Sequence, residues 1–288
     1  KGKLEDLVIA AMQLDAEVLI VDRNLNAAQA AAIAKLTDMK VIDRTQLILD
    51  IFAQHAQSQD GKLEVELAQT RYLLPRLGTK DDSLSRLTGG IGGRGPGETK
   101  LEIGKRRARE RIAYLEDRLS KLEKQRHQQR RRRSESSAPM VAIVGYTNAG
   151  KSTLLNALTG ADVLVENKLF ATLDTRSRRL SFGNGKTLVL TDTVGFIRDL
   201  PRELFSAFAA TFEEAREADL LLHVVDASDP AHDAHIETTH QLLRELELDG
   251  VPRLLVLNKC DQLPEDEGKH IAARYQGLAV SATQPATL

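Results

Sequence analysis

The sequence predicts an α/β chain in three parts: a partial N-terminal α/β domain over 1–44, an antiparallel helical hairpin over 45–138, and a larger domain with a mostly parallel sheet over 139–288. Three observations predict it. Short apolar runs alternate with helix-like runs at both ends of the chain, as strands joined by crossover helices do. Between them, apolar residues recur at spacings of three and four, the signature of packed helices. Finally, the apolar run Met140-Val141-Ala142-Ile143-Val144 leads into Gly145-Tyr146-Thr147-Asn148-Ala149-Gly150-Lys151-Ser152, and a helix-like run from Thr153 to Leu158 follows.

In the N-terminal part, Lys3 to Leu14 reads as a helix and residues 17–22 as a buried strand. Leu25 to Leu36 is an Ala-rich helix with Asn24 as candidate N-cap, and Lys40–Asp43 is a second strand. This α-β-α-β order implies a parallel sheet whose first strands are expected upstream of Lys1, since Lys1-Gly2-Lys3 is not a native start. Asp22 ends a strand, a usual place for ligand chemistry, but no phosphate-binding glycine pattern follows it. A scaffold or docking role is expected there rather than catalysis.

From Thr45 the pattern turns helical. Leu47, Ile48, Ile51 and Phe52 share a face. Leu63, Leu67, Thr70, Leu74 and Leu77 form a heptad seam, and Leu101, Ala108, Ile112, Leu115, Leu119 and Leu122 form a second. Two seams joined by a loop predict an antiparallel hairpin packed through both stripes. The joining loop has six glycines between Gly89 and Gly97, with Arg94 among them, and cannot form regular structure. Small residues beside an arginine allow close approach to a phosphate chain.

The formal net charge of −1 hides an asymmetry. Gly104 to Arg133 carries 13 Lys/Arg and 4 Asp/Glu, a net of +9 that leaves −10 for the rest. That excess goes beyond what solubility needs, and phosphate contact is its commonest use. Lys105, Arg106, Arg107 and Arg109 are the candidate RNA contacts, with Arg94. Only Tyr114 is aromatic there, so base stacking is excluded as the main mode, and folded RNA read by shape fits better than single strands.

The segment Gly145–Ser152 has the form G-x-x-x-x-G-K-S. Its glycines let successive backbone N–H groups turn toward one anion, and the following helix adds its positive end. Lys151 would reach the outer phosphates, Ser152 would ligate Mg²⁺, and Thr153 continues the motif. Three later segments complete the reading. Asp192-Thr193-Val194-Gly195 follows a strand-like run; Asp192 could hold Mg²⁺ through water and Gly195 could offer its N–H to a γ-phosphate. Asn258-Lys259-Cys260-Asp261 follows Leu254–Leu257. Asp261 can accept from the N1–H and amine of guanine, a pair that adenine lacks. Ser281-Ala282-Thr283 would offer N–H groups to the guanine oxygen. In this order the four segments imply GTP and GDP as ligands.

At 42% hydrophobic and 28% charged residues, the 288-residue chain has enough apolar content for real cores, and no apolar run approaches a membrane span. Its one cysteine, Cys260, excludes an internal disulfide. A cytoplasmic monomer is expected. A closing helix is expected beyond Leu288.

With these segments in hand, the chain resembles the HflX family of ribosome-associated GTPases over essentially its full length. The segments that carry the likeness are Gly93-Arg94-Gly95-Pro96-Gly97-Glu98-Thr99-Lys100-Leu101-Glu102, the loop Gly145–Thr153, Phe170-Ala171-Thr172-Leu173-Asp174, and Asp192-Thr193-Val194-Gly195-Phe196-Ile197. The resemblance implies an N-terminal α/β domain, a helical hairpin and a P-loop GTPase domain. It implies binding to the large ribosomal subunit and its rRNA, and GTP-dependent dissociation of stalled or idle ribosomes under stress. By the same likeness Phe170–Asp174 would line the nucleotide and Thr172 would be the switch threonine that ligates Mg²⁺. The family pattern continues Pro-Thr after Thr-Leu-Asp, whereas this chain has Thr175-Arg176, which leaves Thr175 as an alternative ligand.

Lys151, Thr172 and Gly195 are thus the catalytic candidates. Phe196 stands where a water-positioning glutamine would serve, so slow intrinsic hydrolysis and stimulation by the ribosome are expected. Asn148 is a candidate for holding K⁺ beside the phosphates. The competing reading is a large-subunit assembly or checkpoint factor that uses GTP as a timer. A membrane-linked switch is disfavoured, for the sequence offers no lipid motif or amphipathic anchor.

Overall fold

A computed structural model describes residues 2–77, 100–134, 138–160, 176–183, 185–198, 212 and 215–288. The chain divides into two compact units, one of residues 1–54 and 62–121, the other of 55–61 and 122–288.

The first unit begins α1 (Gly2–Gln13), β1 (Val18–Val21), α2 (Ala27–Thr37), β2 (Lys40–Asp43) and α3 (Arg44–His55). β1 and β2 pair in parallel, with Val18 opposite Lys40, as the α-β-α-β order requires. The N-cap of α2 is Asn26 rather than Asn24. The Asn26 carboxamide accepts from the Gln29 N–H and Gln29 reaches back to the Asn26 N–H, a reciprocal capping box. Asn24 instead accepts from the Thr45 hydroxyl. β1 is not the buried strand expected, since Val18 and Ile20 stay exposed with β2 its one paired neighbour among the described residues. Asp22 is exposed and accepts from Arg44 at 2.5 Å.

Asp43, buried at the end of β2, ties the unit together. It accepts from the Leu25 and Gln46 N–H groups, from the Tyr72 hydroxyl at 2.6 Å, and from Arg76 at 3.3 Å. Tyr72 lies on α4 (Gln59–Leu73), and Arg76 sits over its ring. The seam expected on α4 is displaced. Its most buried residues are Gly61, Glu64, Val65, Leu67, Ala68 and Tyr72, so the face is turned away from Leu63, Thr70 and Leu74. The reason is the anchor at Tyr72, which rotates the helix toward Asp43. On α5 (Lys100–Ser134) the seam holds: Leu115 is fully buried and Leu101, Ala108, Ile112, Leu119 and Leu122 are half-buried. Glu66 receives a forked pair of hydrogen bonds from Arg111, and Glu116 accepts from Arg71. These pairs join α4 to α5 side by side, as the expected hairpin requires. The connection 78–99, with Arg94 and the glycine loop, lies outside the described residues.

The second unit is a six-stranded sheet in the order β4-β5-β3-β6-β7-β8. Its strands are β3 (Met140–Val144), β4 (Arg176–Ser181), β5 (Thr187–Asp192), β6 (Leu220–Asp226), β7 (Arg253–Asn258) and β8 (Leu278–Ala279). Only β4 runs antiparallel. Helices α6 (Lys151–Thr159), α7 (His232–Glu245) and α8 (Glu267–Arg274) pack on it. One core joins Val141, Ile143, Leu154, Leu155, Leu190 and Val224; a second joins Val225, Ile236, Leu257 and Ala272. β3 is buried on both faces, which is why it reads as an unbroken apolar run. The strand order reverses at β3, and loops at that switch point form the natural ligand crevice.

Candidate functional site

The loop after β3 is held by contacts that forbid a side chain at two of its glycines. Gly145 has φ +146°, and a Cβ there would lie 2.1 Å from the Val224 carbonyl oxygen. Gly150 has φ +90°, and its Cβ would meet Asn258 Nδ2 at 2.2 Å. Asn148, at φ 61°, takes the left-handed turn between them, which asparagine tolerates better than most residues. Ala149 is buried, and its N–H bonds back to the Tyr146 carbonyl.

Lys151 opens α6. Its ammonium is buried and donates to the carbonyls of Gly145 at 3.1 Å and Tyr146 at 2.9 Å. Burial lowers its pKa to about 8, against the opposing attraction of Asp192. The ammonium therefore stays charged at neutral pH and brings a desolvated positive charge to the loop. Ser152, the next residue, donates to Asp192 Oδ2 at 2.6 Å across the loop from β5. Thr153 is half-buried on the same helix. Thr193 is fully buried and donates to the Ile143 carbonyl, which fixes the exit of β5 against β3. Val194 is buried beside it. Gly195 lies so close to the loop that a Cβ would meet Thr147 Cγ2 at 2.9 Å and Lys151 Nζ at 3.0 Å.

On the other side of the loop, Asn258 acts as a strut. Its Nδ2 donates to the Ala149 carbonyl at 2.9 Å, and its Oδ1 accepts from the Ala282 N–H at 2.9 Å. One amide thus locks the phosphate loop, the end of β7 and the turn after β8 into one frame. Asp261 Oδ1 accepts from the Ser281 hydroxyl at 2.6 Å, and Ser281 also bonds Thr283. The Ser281 and Ala282 N–H groups, expected to face a guanine oxygen, donate instead to Thr287 Oγ1 and Asn258 Oδ1. Cys260 is half-buried, its thiol bonded to the Leu257 carbonyl and its pKa raised mainly by burial; it is a structural group. Lys259, in a left-handed conformation, donates to Asp226 Oδ2 at 2.6 Å, and Ser228 bonds the other oxygen of that carboxylate. Asp226 is a site residue that sequence reasoning missed. Its one signal was position, at the end of the apolar run Leu220–Val225.

Phe196 differs from expectation in kind. It occupies the position after Gly195, but its ring is buried and stacks on Phe212 with centroids 5.6 Å apart. Its apolar surface drives it inward, so the residue belongs to the core as well as lacking a hydrogen-bonding group. Phe170, Ala171, Thr172, Leu173 and Asp174 lie outside the described residues. Lys105 is half-buried on α5, and Arg106, Arg107 and Arg109 are exposed there. Arg106 also pairs with Glu110.

A tight glycine loop between the first strand of this sheet and a helix, with an aspartate across it and the Asn258–Asp261 segment tied to it, defines a P-loop GTPase domain. Residues 140–259 match the family model described as "50S ribosome-binding GTPase", residues 1–53 "GTP-binding GTPase N-terminal", and residues 55–133 "GTP-binding GTPase Middle Region". The chain is 53% identical over 263 residues to the GTPase HflX of Caldanaerobacter subterraneus, covering 91% of this chain and 61% of that protein. It is 48% identical over 267 residues to the GTPase HflX of Escherichia coli K12, covering 93% and 63%. The chain belongs to the HflX GTPase family and spans about three fifths of the length of these relatives. Among solved structures, a GTP-binding protein from Sulfolobus solfataricus in complex with GDP is 28% identical, covers 98% of this chain and 79% of its own, and has a TM-score of 0.50. A complex of SsGBP and GDP gives 26%, the same coverage and 0.52. No helix of the described residues is long and apolar enough to cross a membrane.

Proposed function

We propose that this protein hydrolyses GTP, binds the large ribosomal subunit, and dissociates stalled or idle ribosomes under stress. The Asn258 strut carries the nucleotide part of the reading, because it ties the phosphate loop to the turn after β8 that also bonds Asp261. The description of the matched family and the basic face of α5 support the ribosomal part. The domain boundaries 1–44, 45–138 and 139–288 belong to the same reading.

Phosphoryl transfer is mostly positioning and charge neutralisation. Lys151 holds a charge against the outer phosphates, and the loop N–H groups orient them. The residues present fit Mg²⁺: a hydroxyl and a carboxylate, Ser152 and Asp192, already meet at 2.6 Å. Thr172 would be the third protein group. Mg²⁺, when bound, neutralises charge on the phosphate oxygens. Asn148, exposed on the loop, is where K⁺ would sit, so rates in K⁺ and Na⁺ buffers should differ. No side chain at Phe196 can orient water, so the ribosome is expected to complete the site.

The test is turnover with and without ribosomes, read beside sucrose-gradient profiles. At least about tenfold stimulation is expected, of the kind that completing a phosphoryl-transfer site gives, together with a shift of intact ribosomes to free subunits. Stimulation without free subunits would leave the assembly or checkpoint timer instead. Fast turnover indifferent to ribosomes would overturn both.

A further inference from the structure

We propose that Tyr146 sets the preference of this site between GDP and GTP, by clasping the segment after Gly195 onto the phosphate loop. The inference rests on the reading of the site as a guanine-nucleotide site and adds to it a role for the Tyr146 side chain.

Tyr146 is the second residue of the loop. Its ring stacks on His235 of α7, with centroids 3.9 Å apart and planes 12° from parallel. Its hydroxyl accepts from the Arg198 N–H at 3.2 Å. Around this contact the backbones also join: the Thr147 N–H donates to the Phe196 carbonyl at 2.8 Å, and the Phe196 N–H donates to the Gly145 carbonyl at 3.0 Å. The two chains form a parallel bridge at Tyr146 and Phe196, and the buried Phe196 ring anchors it from below. Residues 196–198 are thereby fastened to residues 145–147.

The consequence falls on Gly195. A γ-phosphate has to lie between the Lys151 ammonium and the Gly195 N–H. In the clasped arrangement the Gly195 backbone is pressed against that ammonium, so closely that a Cβ would lie 3.0 Å from Lys151 Nζ. GDP ends one phosphate short and leaves the clasp undisturbed. GTP needs the segment to lift. A contact made only in one of two arrangements shifts the balance between ligands that prefer different ones. The backbone bonds are open to any residue at these positions; the hydroxyl bond belongs to tyrosine alone. Were the ring merely filler against His235, phenylalanine would serve equally well.

Tyr146→Phe keeps the ring and its stack and deletes only the acceptor. Titration calorimetry with GDP and a non-hydrolysable GTP analogue would give both affinities. The ratio should move toward the GTP analogue by about three- to tenfold, the size of one net hydrogen bond. His235→Ala, which leaves the hydroxyl and removes the stack, should move the ratio the same way by less. In the GDP complex, amide exchange of residues 194–198 should quicken in Tyr146→Phe while that of β3 does not. An unchanged ratio overturns the proposal, and so does an equal loss for both nucleotides, which marks a packing residue. Failure of the unmodified protein to bind any guanine nucleotide would sink the reading of the site instead.

Discussion

The phosphate loop and the basic helix α5 are both announced by composition, yet they are built in opposite ways. At Gly145 and Gly150 the loop meets the Val224 carbonyl and the Asn258 amide so closely that neither position has room for one methyl group. Its lysine is buried and bonded to two carbonyls. On α5 the charges stand in solvent, held by local pairs such as Lys121 with Asp117 or by long side chains reaching α4. Exposed pairs of this kind contribute about 0 to 1 kcal/mol each. The loop's function depends on single atoms. On the proposed reading the helix works through a sum of charges, of which each one is dispensable.

That contrast can be broken at several points, and the largest effect is expected in the loop. Gly145→Ala places a carbon against the backbone of a central strand that cannot yield. We expect nucleotide binding to fall below detection by calorimetry, with folding stability lower by about 3 kcal/mol. Gly160→Ala, at φ +65° but with open space around it, should cost only about 1 kcal/mol and leave binding intact. If the two variants behave alike, the loop is not the tight device described.

Next in size is Asp261→Asn. The amide donates where the carboxylate accepted, so preference should pass from guanine to xanthine nucleotides by about a hundredfold or more. Affinities for GDP, XDP and ADP that rank as in the unmodified protein would remove Asp261 from the base site.

For the helix the prediction is graded. Neutralising Lys105, Arg106, Arg107 and Arg109 together should weaken ribosome binding and lower the log–log salt slope by about 0.7 to 0.9 for each lost phosphate contact. GTP affinity should stay as it was. Pelleting across a salt series reads both, and binding identical to the unmodified protein at every salt concentration would reduce α5 to a solvated face.

The effect that is smallest near neutral pH lies beneath the loop. His223 is buried on β6, and its pKa is lowered to about 3, first by burial and then by His240 of α7, Arg253 of β7 and Lys151. Above its ordinary value of 6.5 the imidazole is neutral in both folded and unfolded chains. Below it the unfolded chain takes up a proton that the folded chain refuses, so stability falls as pH drops from 6.5 toward 3. Between pH 7 and pH 6 the loss should be less than about 1 kcal/mol, steepening toward about 1.4 kcal/mol per pH unit. Urea unfolding of His223→Gln should show a flatter acid limb; equal limbs would assign the loss to other groups.

The strands and the nucleotide loop were legible in the sequence, and for one reason. β3, β5 and β7 are apolar runs that end in residues with no apolar use, Gly145, Asp192 and Asn258. Where the sequence misled, a competing partner had won over the expected one. Asn26 took the cap because Gln29 could answer it, while Asn24 turned to Thr45. The α4 seam gave way to the Tyr72–Asp43 bond. The Ser281 and Ala282 N–H groups went to Thr287 and Asn258.

By itself the sequence determined the parallel sheet, the phosphate loop, the guanine motif and the basic block. Each is written in consecutive residues whose period, glycine spacing or charge is enough to specify it. Only the tertiary structure decided that Asn258 braces the loop, that Asp226 holds Lys259, that Phe196 is core, and that Tyr146 reaches Arg198. These are pairings between residues up to 109 positions apart in the chain. Local chemistry leaves their partners open, and only the folding of the sheet brings them within hydrogen-bonding distance.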